Sequence, residues 1–213
     1  MKAIDFILFG VLFFGAIVAI IRFRTLDYKE RIIAALLILT FPQVFVCYIF
    51  SQHNWNNIYI IQWYSLLEFF LIMLYYYKLF SRGIYKKVPL TLTLMGIAWF
   101  TITLFSNKNT SNGLSFILFE ALAIIIAGCF YFIGLLLEKD INITLLPSFW
   151  VTISMLFYWT TTYTRDGLLI FYDRVSIQFL SSLEYFFISI NIGFYLSLSL
   201  IILNHKKIKG VYG

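Results

Sequence analysis

Apolar runs long enough to cross a bilayer recur seven times along this sequence, and only short polar segments separate them. A spanning helix needs about 20 mostly apolar residues, and inside lipid only helices or closed barrels satisfy their own backbone groups. Composition closes off the soluble alternative. Of the 213 residues, 62% are hydrophobic and 12% charged, against roughly 25% charged in a soluble domain. Aromatic residues make up 21% of the chain, which suits lipid contact and interfacial belts. The expected fold class is an all-α integral membrane protein with seven transmembrane helices, forming a single domain over 1–213.

The expected spans are helix 1 over Ile4–Ile21, helix 2 over Ile32–Phe50, helix 3 over Ile58–Tyr77 and helix 4 over Val88–Phe105. Helix 5 follows over Leu114–Leu137, helix 6 over Ile143–Tyr163 and helix 7 over Val175–Leu203. Helix 1 resembles a signal peptide but has no small-residue cleavage site, so it reads as a retained span. Pro42 sits inside helix 2, and Pro147 lies in the first turn of helix 6, where proline is well placed. Tyr75-Tyr76-Tyr77-Lys78 reads as an interfacial end to helix 3. Turns are expected over Gln52–Asn57 and Ser106–Gly113, Glu138-Lys139-Asp140 closes helix 5, and Thr164-Arg165-Asp166-Gly167 opens a loop that reaches Arg174. Cys47 and Cys129 fall at depths too different for a disulfide.

The net charge of +6 is explained by topology and not by nucleic acid. With seven spans, loops 1–2, 3–4 and 5–6 and the C-terminal tail carry twelve cations, against four on the other side. The richer side is cytoplasmic. This places the N-terminus outside and the C-terminus inside, in a membrane of the bacterial cytoplasmic (inner) type.

Two short stretches recur. Phe6-Ile7-Leu8-Phe9 is repeated as Phe116-Ile117-Leu118-Phe119, and Ser65-Leu66-Leu67-Glu68-Phe69-Phe70 has a near-copy in Ser181-Ser182-Leu183-Glu184-Tyr185-Phe186. The pattern suggests two parallel three-helix units, 1–80 and 114–205, joined by helix 4, one known route to a transporter. This three-plus-one-plus-three plan resembles the SWEET and PQ-loop carriers of sugars and amino acids. The literal match is Pro42-Gln43, which stands once and in helix 2, whereas that family repeats its motif in the first helix of each unit. No functional residue is therefore carried over. The plan also resembles seven-helix receptors, but helix 7 has no lysine between Arg174 and Lys206 to hold a retinal.

Three carboxylates interrupt the apolar text: Glu68, Glu120 and Glu184, all on odd-numbered helices and all in the expected outer half. A carboxylate at the bilayer centre costs roughly 2.5 kcal/mol or more, so it needs a partner, a proton or a task. No Lys or Arg falls within an expected span to pair with these. Helical spacing places Tyr64 near Glu68, and Asn191 and Tyr195 near Glu184. Gln43 and Gln62 lie at similar depth, and helix 6 carries a stripe of Ser148, Thr152, Trp159 and Thr162. The candidate ligand-binding set is thus Glu68, Glu120, Glu184, Tyr64, Gln43, Gln62, Asn191 and Trp159, lining one outward-opening acidic and aromatic cavity. The bland alternative is interhelical hydrogen bonding that merely glues the bundle.

Neither His53 nor His205 has a second ligand at metal spacing, and no hydrolase, metalloprotease or phosphate-loop motif occurs. No enzyme activity, metal or cofactor is expected. The expected function is a carrier for a small molecule or cation. One alternative is a sensory module that binds a ligand outside and signals to a separate partner protein, and another is a structural subunit of a larger complex. The partners implied are the lipid bilayer, a small ligand or cation, and either a signalling protein or further copies of the chain.

Overall fold

A computed structural model describes residues 3–80, 83–105, 111–137, 143–169 and 177–209, and these are almost wholly helical. Seven α-helices follow one another: α1 (Ala3–Arg22), α2 (Tyr28–Gln52), α3 (Ile58–Leu79), α4 (Gly83–Phe105), α5 (Ser111–Leu136), α6 (Pro147–Leu169) and α7 (Ile177–Lys209). Single 3₁₀ turns, Phe23–Thr25 and Ile143–Leu145, precede α2 and α6. Among the described residues, six helices are long and apolar enough to cross a membrane, which marks a membrane-embedded protein. The exception, α6, spans 23 residues but spends them on threonine, tyrosine and tryptophan, with Arg165 and Asp166 near its end.

Each helix packs against its neighbours in sequence, and α1 packs on α7 to close a ring. Within that ring α3 also reaches α5, which leaves α4 on the periphery. Leu12, Leu36, Phe69, Ile72, Ile124, Met155 and Leu198 fill the interior, while Phe6, Trp63, Leu94, Phe157 and Phe186 face outward. Apolar side chains on both surfaces are what a lipid solvent requires. The attraction between helices then comes from packing and interhelical hydrogen bonds, not from the exclusion of water. Small residues allow the closest approaches. A Cβ on Gly15 of α1 would come within 2.6 Å of Ser199 Oγ on α7, and one on Gly128 of α5 within 2.8 Å of a Leu156 methyl on α6.

Several local readings change. The turn that ends α2 is built on Asn54 at φ 54°, a left-handed position that asparagine tolerates. Pro42 and Pro89 both sit inside continuous helices, and Pro147 is the first residue of α6. Tyr75 and Tyr76 are not an interfacial belt. They are buried at 1% and 0% exposure, and the C-terminal end of α3 is marked instead by Lys78 over the Tyr28 ring at 5.2 Å. Ser111-Asn112-Gly113 belongs to α5 and not to a turn. The remainder of that turn (Ser106–Thr110), the Glu138-Lys139-Asp140 closure and Arg174 lie outside the described residues. Cys47 and Cys129 are free thiols.

The largest local correction concerns Thr164-Arg165-Asp166-Gly167, which is helix and not loop. Thr161 and Thr164 return their hydroxyls to the carbonyls of Phe157 and Thr160, at 2.6 and 2.9 Å. Asp166 is buried at 1% exposure. α6 thus runs well past the point where its apolar character fades, its threonine hydroxyls satisfied by its own backbone.

Candidate functional site

A cavity of about 250 Å³ lies in the half of the bundle where α1, α3 and α5 begin and α2 and α6 end. Leu8 and Leu12 of α1 and Ile117 of α5 form its apolar side. Gln43 comes from α2, and Tyr64, Ser65 and Glu68 from α3. Glu120 comes from α5, Tyr158, Trp159, Thr162 and Arg165 from α6, and Asn191 and Tyr195 from α7. Six of the eight candidates read from the sequence therefore meet here: Glu68, Glu120, Tyr64, Gln43, Asn191 and Trp159.

The two glutamates are organised by α3. Ser65 and Glu68 are three residues apart and so share a helix face. The Ser65 hydroxyl donates to Glu120 Oε2 across the α3–α5 contact. Glu68 is 7% exposed and Glu120 1%, yet one oxygen of each, Oε1, is buried without a hydrogen-bond partner. The indole Nε1 of Trp159 is equally buried and equally without a partner. Buried polar atoms are nearly always satisfied, so each exception calls for an explanation.

The other polar side chains are committed elsewhere. The Tyr64 hydroxyl is hydrogen-bonded to Thr40. Gln43 Nε2 donates to Cys47 Sγ at 3.3 Å, and Asn191 Nδ2 donates to the Phe187 carbonyl at 3.0 Å. Arg165 Nε donates to Asp166 Oδ1 at 2.6 Å, and its guanidinium lies 5.1 Å from the Phe187 ring centroid. Tyr158 stacks on Phe194 at 4.2 Å with only 6° between the planes, and its neighbour Trp159 meets it edge-on at 5.2 Å. The result is a pair of carboxylates facing a rigid aromatic wall, with one arginine already balanced by an aspartate.

Two candidates lie elsewhere. Glu184 is exposed and does not line the cavity. The expectation of a shared interior for Glu68 and Glu184 is therefore overturned, since the two matching stretches present their glutamates to different surroundings. Gln62 is only half-buried and also lies off the cavity, with its Oε1 buried without a partner. Among residues that sequence reasoning missed, Arg165 matters most, because it places a cation within a helix that lines the site. Its signal was the continuation of the Trp159–Thr162 stripe by a further three residues, masked by the turn-like letters Arg-Asp-Gly. Among the described residues, no group of three or more His, Cys, Asp or Glu side chains is placed to hold a metal.

No protein-family model matches the chain, and neither a curated protein nor a solved structure matches it at a significant level. Function is therefore argued from the site itself.

Proposed function

We propose that the protein is a membrane carrier for a small cation, using the cavity between α3, α5, α6 and α7 as its binding site. The observation that carries this reading is the charge balance of the cavity. Glu68 and Glu120 are both deeply buried and each keeps an oxygen without a partner, while Arg165, the one cation among the described lining residues, is already paired with Asp166. An intramembrane carboxylate without a cation is costly and marks a substrate or ion pathway by default. In the proposed topology all seven helices cross the bacterial-type cytoplasmic membrane with the N-terminus outside, so the cavity sits in the outer half. The buried side chains Ile72, Met155 and Leu198 fill the bundle beyond it, which closes the inner side.

The test is a charge-displacement measurement on proteoliposomes exposed to jumps of a panel of inorganic and organic cations. The reading expects a current with at least one of them, lost in Glu68→Gln and Glu120→Gln. Currents that persist unchanged in both variants would remove it. The same one-sided closure favours a second reading, a sensory module that binds its cation outside and passes helix movement to a partner. In that case binding would survive while no charge crosses the bilayer.

A further inference from the structure

We infer that the ligand of this cavity is a protonated primary amine carrying an uncharged hydrogen-bond acceptor on the same small organic body, an amino alcohol or a phenolic amine in chemical class. This rests on the cation-binding reading above and narrows it.

Three unsatisfied atoms set the requirement. Glu68 Oε1 and Glu120 Oε1 are acceptors, and Trp159 Nε1 is a donor with no acceptor alternative. One positively charged group that carries several N–H bonds satisfies both carboxylate oxygens, and charge-assisted hydrogen bonds are the strong ones. A quaternary ammonium supplies the charge but no N–H, so both oxygens would stay unpaired. The indole needs the opposite partner, a hydroxyl or carbonyl oxygen on the same ligand. A free carboxylate does not suit that position, because Arg165, the one cation among the described lining residues, is engaged by Asp166 at 2.6 Å and the cavity already holds two glutamates. The cavity volume of about 250 Å³ and the rings of Tyr158, Trp159 and Tyr195 suit a small organic body, with the ring faces adding cation–π attraction.

The experiment is calorimetric titration of the purified full-length protein with tyramine, ethanolamine, ethylamine, choline, alanine and sodium. Tyramine and ethanolamine should bind at least tenfold more tightly than choline, and alanine should give no heat. Glu68→Gln and Glu120→Gln should each weaken tyramine at least tenfold. Trp159→Phe should bring ethanolamine down to the level of ethylamine while leaving ethylamine unchanged. This last pair needs no change at a carboxylate, so it decides the matter even where a glutamate variant does not fold. Choline or sodium binding as tightly as tyramine, and lost in Glu68→Gln, would overturn the amine class but keep the cation cavity. Alanine binding best, or no cation binding to the folded protein, would overturn both.

Discussion

The Ser65 hydroxyl holds one oxygen of Glu120 across the α3–α5 contact and leaves the other without a partner. Because Ser65 and Glu68 share a face of α3, a single helix face presents one carboxylate and orients the other. Ser65→Ala should therefore weaken cation binding without removing a charge. The expected loss is about tenfold or more, since one hydrogen bond to a charged group contributes about 1.5–3 kcal/mol. The melting temperature should fall by a few degrees, because the second Glu120 oxygen is then also buried without a partner. Titration of tyramine beside a thermal melt checks both.

The two glutamates on different surfaces should respond differently. Glu68→Gln and Glu120→Gln should each reduce cation binding by at least about tenfold, as expected for truncating a buried charge contact. Glu184→Gln should bind like the parent, because Glu184 is exposed and lies off the cavity. Equal losses in all three variants would mean that the cavity has been assigned to the wrong carboxylates.

If an ammonium binds as proposed, it competes with protons for the same carboxylate oxygens, which fixes a sign. Apparent affinity for tyramine should rise as pH rises from about 5.5 to about 8.5, a window in which the amine itself stays protonated. Glu68→Gln should flatten that dependence. A parent protein whose affinity is constant over the window would show that no proton is displaced.

Much of this architecture is legible in the letters, and the reasons differ by residue. Hydropathy marks helix centres well, so Glu68, Tyr64 and Asn191 could be placed at comparable depth without a structure. It marks ends poorly wherever polar residues stay helical. Thr164-Arg165-Asp166-Gly167 has turn chemistry, yet the α6 backbone continues because Asp166 is buried and paired with Arg165. Glu184 misled for another reason. In text rich in Phe, Leu and Ile, a six-letter match says nothing about which side of a helix faces inward. Tyr75 and Tyr76 look interfacial by type, and only packing shows that they are core.

The Arg165–Asp166 pair gives a stability prediction. Asp166→Asn leaves the guanidinium without its counter-charge, in a side chain that is one-third exposed. The expected cost is about 1–2 kcal/mol, below the range for a fully buried pair because water reaches the arginine. Chemical or thermal unfolding in detergent measures it. At the helix crossings, Gly128→Leu should cost about 1–3 kcal/mol by overpacking against Leu156.

Topology remains open to a direct test. A reporter placed at Trp55 should read as external and one fused after Gly213 as cytoplasmic. Tags in segments 138–142 and 170–176 should fall on opposite sides if α6 crosses the membrane. Both tags on one side would leave six spans and turn the C-terminus outward.

The polarity of α6 bears on how such a molecule is made. A segment with Thr160, Thr161 and Thr162 in a row and a charged pair behind them gains little by partitioning into lipid alone. If α6 crosses the membrane, its neighbours α5 and α7 must supply what lipid does not, and its insertion is then cooperative with theirs. During synthesis α6 emerges after α5 and before α7, and it must shelter against the former until the latter arrives. The cavity, walled on one side by α6 and α7, is then the last part of the bundle to be assembled.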